Sequence, residues 1–125
     1  MYNINYHVVW VVKHRKQILT PGIEQELRQL CEETAAEKDF TLHLFEVQNK
    51  DHVHCFVSAS PKLSITYIVK MLKGISGRKL LFNHPEIKSQ LYKGELWNHS
   101  YYVETIGSVS EENIRRYIEK QYNSY

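Results

Sequence analysis

The residues of this chain best suited to chemistry are His52 and His54, in the run Asp51-His-Val-His-Cys-Phe-Val57. Val53, Cys55, Phe56 and Val57 favour extended backbone, so the run predicts a short buried strand. Side chains alternate along a strand, which puts both histidines on one face and Val53, Cys55 and Val57 on the other. Two imidazoles at that spacing can share one divalent metal ion and need only a third ligand to make a site. Two unrelated histidines on a half-exposed strand would give the same pattern, so the tripeptide leaves both readings open.

A second set lies at Tyr117-Ile-Glu-Lys-Gln121, in a segment that reads as helical. Ser110 suits an N-cap, and Glu111 and Glu112 fall in the first turn, where the helix dipole favours negative charge. Ile114 and Ile118 give the helix an apolar edge, while Asn113, Tyr117 and Gln121 recur every fourth residue as a polar stripe. Gln121 can offer a metal a neutral oxygen, and the phenol of Tyr117, one turn away, can reach what that metal activates. A tyrosine packing its ring at the domain surface is the bland alternative.

The order of these segments adds a further signal. The opening strand Tyr6-His-Val-Val-Trp-Val-Val-Lys-His-Arg15 comes first, followed by Asn49-Lys-Asp-His-Val-His-Cys-Phe56. Leu96-Trp-Asn-His-Ser-Tyr-Tyr-Val-Glu-Thr-Ile-Gly107 and Tyr117-Ile-Glu-Lys-Gln121 complete the series. With these segments, the chain resembles the single-strand, one-tyrosine transposases of the IS two-hundred/six-hundred-and-five insertion sequences. These are HUH endonucleases, named for their His-hydrophobic-His motif. The domesticated transposases that act at repetitive palindromes share much of the pattern. The resemblance is therefore more specific about chemistry than about biological role.

The resemblance implies a divalent metal, Mg2+ or Mn2+, held by His52, His54 and Gln121. It implies Tyr117 as the nucleophile, taking the 5′ phosphate of a cut strand and releasing a 3′-hydroxyl. The implied substrate is single-stranded DNA with a hairpin near the element ends. The implied assembly is a homodimer whose active sites combine the histidines of one chain with the tyrosine helix of the other. Two imidazoles are unusual ligands for magnesium, so manganese, cobalt or zinc is expected to bind more tightly in vitro. Replication-initiator and relaxase nucleases carry the same metal motif, usually in longer chains with further domains. His14 and Asn98-His99 depart from the typical pattern of the transposases.

A scaffold must position these groups. Residues 2–12 carry Val8, Val9, Trp10, Val11 and Val12 and read as a central strand. Thr20-Pro21 starts a helix whose apolar positions Ile23, Leu27, Leu30, Cys31 and Thr34 keep the helical period. Residues 41–48 read as a strand joined to the histidine strand by the turn Asn49-Lys50-Asp51. A second helix covers roughly residues 64–82 with Ile65, Ile68, Val69, Leu72 and Ile75 inward, and Gly74 and Gly77 mark a kink or a close backbone approach. A strand over 100–106 precedes the tyrosine helix. The expected fold is α+β, a ferredoxin-like or RNA-recognition-like βαββαβ unit. It has a four-stranded antiparallel sheet, with a C-terminal helix carrying the nucleophile.

Composition fits one domain over residues 1–125, and the two cysteines, Cys31 and Cys55, sit in apolar patterns as reduced core residues. No apolar run nears the roughly 18 residues that span a bilayer, and no signal-peptide pattern is present. The expectation is a cytoplasmic protein with no membrane partner. The net charge of +2 says little, but its distribution says more. From Lys62 to Lys93 seven basic residues face one acid, whereas the first helix carries the acidic excess, which suits a basic face for a polyanion. Candidate DNA contacts are Lys13, His14, Arg15 and Lys16 after the first strand, and Lys70, Lys73, Arg78 and Lys79 on the second helix. Trp10, Trp97, Tyr101 and Tyr102 offer stacking faces. A non-catalytic single-stranded nucleic-acid-binding module would share the fold. It would leave the coincidence of His52, His54, Tyr117 and Gln121 unexplained.

Overall fold

The chain follows the expected order of elements in a computed structural model. Residues 3–107 and 110–122 are described; for residues 111, 117, 118 and 120–122 the helical backbone alone is described. The order is β1 (Ile4–Val11), α1 (Pro21–Lys38), β2 (Thr41–Gln48), β3 (His52–Ala59), α2 (Ile65–Asn83), a single-turn α3 (Pro85–Lys88), β4 (Tyr102–Ile106) and α4 (Glu111–Tyr122). The sheet runs β2-β3-β1-β4 with every neighbouring pair antiparallel. This is the ferredoxin-like βαββαβ arrangement with two helices added, the single-turn α3 and the terminal α4.

Strand alternation divides the sheet into two faces. Val8, Trp10, Val53, Cys55 and Val57 join Phe45 and the inward residues of α1 and α2 (Leu27, Cys31, Ile68, Leu72 and Leu80 among them) in one apolar core. Trp10 lies at 0% exposure inside it, edge-on to Phe45 and Trp97, so it cannot serve as the stacking face its type suggested. All eight residues of β3 are buried, so the opposite face at the centre of the sheet is also withdrawn from water.

Local rules account for the joints. Ser64 caps α2 by accepting from the Tyr67 N–H at 3.1 Å. Asp39 ends α1 in the left-handed conformation, at φ 65°, which a short polar side chain tolerates. In the β2–β3 hairpin Asn49 and Lys50 adopt φ of 54° and 57°, and the Asp51 N–H returns to the Gln48 carbonyl at 3.3 Å. Consecutive positive φ values define the type I′ turn, whose twist matches that of the strands it joins.

The two glycines of α2 differ. The helix runs without a break, and around Gly74 a Cβ would meet nothing within 4 Å. At Gly77 a Cβ would stand 3.0 Å from Trp97 Nε1 and 3.3 Å from its Cδ1, and that indole N–H is fixed by a 3.0 Å bond to the Lys73 carbonyl. Gly77 thus seats the tryptophan of the loop leading into β4. Gly77→Val should therefore destabilise the protein by about 1–3 kcal/mol through overpacking. Gly74→Ala should stabilise it by up to about 1 kcal/mol through helix propensity. Urea unfolding midpoints check both, and equal shifts would contradict the packing argument.

Candidate active site

The two histidines enter the site through the register of three strands. Residues directly opposite in an antiparallel pair share a face. His52 is flanked by Gln48 on β2 and Val11 on β1, and His54 by Glu46 and Val9. Further along the same face Phe56 lies opposite His7, and His7 opposite Glu104. His52 is 5% exposed, while His7, His54 and Phe56 are at 0%. The tripeptide thus brings its imidazoles to one buried face, with ring centroids 5.2 Å apart.

Each imidazole is held by its Nδ1. Asp51, itself buried, sets Oδ1 2.6 Å from His52 Nδ1. Its Oδ2 accepts from Asn49 Nδ2 at 3.1 Å and lies 3.9 Å from Arg15 Nη1. An ionised carboxylate has no proton to give, so His52 donates from Nδ1 and its lone pair lies on Nε2. His54 Nδ1 stands 3.1 Å from His7 Nε2, and His7 Nδ1 stands 3.4 Å from Glu104 Oε1. Glu104 Oε2 in turn accepts from the Tyr102 hydroxyl at 2.7 Å. Burial, followed by the neighbouring His7 and His52, drives the His54 pKa down to about 3. Burial also lowers that of His7, against the opposing pull of Glu104. Both rings are thereby kept neutral, the form that ligates metal.

The donor chemistry fits a divalent ion. Nε2 of both His52 and His54 is buried on this face, and the carboxamide oxygen of Gln48, opposite His52, is buried with no hydrogen-bond partner. Among the described residues no three His, Cys, Asp or Glu side chains cluster as a metal site, so a third ligand would be of another type or come from outside the described residues. The expected ligand Gln121 and the expected nucleophile Tyr117 belong to α4 by backbone, and their side chains lie outside the described residues.

The basic candidates divide by layer. Lys70, Arg78 and Lys79 are exposed on α2, and the sheet separates that helix from the histidines. Lys73 spends its ammonium on the carbonyls of Asn98 (2.7 Å) and Ser100 (3.4 Å), and burial lowers its pKa. The cluster after β1 forms a tight turn closed by the Arg15 N–H to the Val12 carbonyl at 2.9 Å, with exposed His14 and Arg15 at φ 60° and 51°. Lys13 pairs with Glu95 and Lys16 with the Gln90 carbonyl, while Arg15 reaches the Asp51 carboxylate behind His52. Tyr102, 39% exposed, is the one stacking candidate on the histidine face among the described residues, whereas Tyr101 lies under Lys73. Sequence reasoning missed His7, Glu104 and Gln48. The signal for His7 was its place among the outward positions of β1, and it needed the β1–β3 register to be read.

Comparison with known proteins decides the family. Residues 1–121 match the family described as "Transposase IS200 like". The chain belongs to it. This transposase is 36% identical over 123 residues to the ISDra2 transposase TnpA of Deinococcus radiodurans, covering 98% of this chain and 87% of that one. It is 29% identical to the transposase for insertion sequence element IS200 of Salmonella typhimurium, over 96% of this chain and 78% of that one. The crystal structure of a candidate transposase from Deinococcus radiodurans superposes with a TM-score of 0.79 at 34% identity, over 97% of this chain and 92% of that chain. A REP-associated tyrosine transposase bound to a REP hairpin shares the fold, with a TM-score of 0.64 at 13% identity, over 94% and 63% of the two chains.

The transposase's turn residue Asp51 supplies a test of the ligand geometry. Asp51→Ala leaves His52 Nδ1 without its acceptor, and Mn2+ affinity measured by calorimetry should fall about 10- to 100-fold. Unchanged affinity would remove Asp51 from the site.

Proposed function

We propose that this transposase cleaves and rejoins single-stranded DNA at the ends of an insertion sequence through a 5′-phosphotyrosine intermediate on Tyr117. The observation that carries the reading is the pair of imidazoles brought together by one strand. His52 and His54 share one buried face, and each is hydrogen-bonded through Nδ1. The proposed ligands of the metal, Mg2+ or Mn2+, are His52, His54 and Gln121. The ion's contribution is to neutralise charge on a non-bridging oxygen of the scissile phosphate.

The chain's own groups do the rest. Tyr117, whose phenol has an unperturbed pKa of about 10, loses its proton and attacks phosphorus. The bond from phosphorus to the 3′ oxygen breaks as the tyrosyl bond forms, so the strand ends as a 3′-hydroxyl and a phosphotyrosine. A phosphodiester is exchanged for a phosphodiester, and a second 3′-hydroxyl can therefore reverse the step and join new ends without a nucleotide cofactor. Asp51 holds His52 in orientation throughout. Arg15, beside Asp51, lies where a DNA phosphate entering at the histidines would meet positive charge. A hairpin beside the cut, the kind of DNA held by the REP-associated relative, is the proposed recognition element. A cytoplasmic location is proposed with this substrate.

The test is incubation of the protein with labelled single-stranded DNA of the element ends and Mn2+, followed by denaturing electrophoresis. A denaturant-resistant adduct is expected from the wild type and none from Tyr117→Phe, with DNA binding retained within about threefold. Adduct formation by the phenylalanine variant would move the nucleophile elsewhere.

One tyrosine per chain makes one covalent bond at a time, whereas excision requires two cleavages and an exchange of ends. We therefore propose a homodimer with active sites shared between chains. Mixing Tyr117→Phe chains with His52→Ala,His54→Ala chains should restore cleavage, because each heterodimer then holds one complete centre. An inert mixture, with dimers verified by sedimentation and heterodimers by capture through a tag on one variant, would confine each site to one chain.

A further inference from the structure

We propose that Glu104, acting through His7, is a positioning residue that sets the tautomer of His54. The inference rests on the reading of His54 as a metal ligand. It concerns β4 and β1, two strands that contribute no proposed ligand.

Glu104 lies opposite His7 in the β1–β4 register, and the Tyr102 hydroxyl donates to its Oε2 at 2.7 Å. Its Oε1 faces His7 Nδ1 at 3.4 Å. An ionised carboxylate only accepts, so the proton of neutral His7 sits on Nδ1 and the lone pair on Nε2. That lone pair meets His54 Nδ1 at 3.1 Å and can only accept, which puts the His54 proton on Nδ1 and its lone pair on Nε2. The ligand nitrogen of His54 is therefore chosen two residues away, by a carboxylate on a different strand.

Packing prevents the relay from inverting by rotation of His7. Its ring is at 0% exposure, stacked on Phe56 (centroids 4.6 Å, 7° between planes) and lying edge to edge with the nearly parallel ring of His54 (5.3 Å, 13°). Without Glu104, His7 can carry its proton on Nε2 and donate to His54 Nδ1. His54 would then hold its own proton on Nε2, and that nitrogen could not bind a cation. His52 has Asp51 for the same purpose, so the two ligands are oriented by independent acceptors.

The experiment reads tautomers in metal-free protein labelled with 15N-histidine, by long-range proton–nitrogen correlation, beside calorimetric titration with Mn2+. Wild type should show His54 protonated at Nδ1. Glu104→Ala should populate the Nε2-protonated form and weaken Mn2+ binding about tenfold. His7→Phe, which keeps a ring against Phe56 but removes the acceptor, should do the same. Glu104→Gln keeps an acceptor oxygen and should restore both readouts towards wild type, an outcome a merely structural role would not give. A wild-type His54 protonated at Nε2, or a Glu104→Ala variant with an unchanged tautomer, overturns the relay. If wild type binds no Mn2+ the metal reading falls, and the tautomer spectra still decide whether Glu104 controls His54.

Discussion

Two imidazoles buried on the central strand of a sheet set the terms for everything around them. A buried polar atom left without a partner costs about 1–3 kcal/mol, so the Nδ1 of each histidine must be answered from within the protein. His52 is answered by its own neighbour Asp51, which the type I′ turn brings to the end of β3. His54, deeper in the strand, has no turn beside it and is answered across the sheet by His7. That second solution moves the demand one strand further, to Glu104 and then to Tyr102. The polar character of the whole face follows from those two side chains.

As a proposed metal site, the arrangement trades stability for readiness. A buried histidine that stays neutral loses the solvation of its charged form, and the His54 pKa of about 3 expresses that loss. A ligand must be neutral to bind a cation, so the burial that depresses the pKa also leaves no proton to displace at working pH. Fixing the tautomer removes a second obstacle, because the nitrogen that bears the lone pair is already chosen. The stacked His7 and Phe56 rings supply apolar contact on the same face. The buried polar chain is thus not held by hydrogen bonds alone.

Local patterns were legible in the sequence, and long-range ones were not. The alternation around His52 and His54 gave a buried strand with both rings on one face, and Thr20-Pro21 and Ser64 marked the two helix starts to within a residue. The Asn49-Lys50-Asp51 turn was legible as a short polar break between two strand patterns, whereas the positive φ of Asn49 and Lys50 was not. The face of β1 was harder, since Val8, Val9, Trp10, Val11 and Val12 form a continuous apolar run without alternation. Register with β3 decides that Trp10 joins the core and that His7 joins the histidines. Gly74 and Gly77 read alike, and the approach of Trp97 from a loop twenty residues on distinguishes them. The basic stripe of α2 was visible as charge, but which layer it occupied was not, because layer assignment depends on crossovers that local patterns do not encode.

The same register explains why a sheet face alone does not finish a metal site. Residues two apart on one strand give two ligands, and a third must come from the strand beside it or from an element laid over the face. On β1 the flanking positions are Val9 and Val11, which have nothing to donate. On β2 they are Glu46 and Gln48, and Gln48 ends in a buried oxygen without a partner. Among the described residues no carboxylate joins the two imidazoles as a third ligand, Glu46 included, so the strands offer two imidazoles and at most an amide on one side, with the other side closed by valine. The remaining coordination must be supplied from above the sheet, and so must any nucleophile. A helix attached beyond β4 can provide both from one turn, because a spacing of four residues keeps two side chains on the same stripe. In this chain that spacing separates Tyr117 from Gln121 on α4. In the proposed mechanism the imidazoles stand on a strand fixed by its register, while Tyr117 and Gln121 come to them together from a separate element.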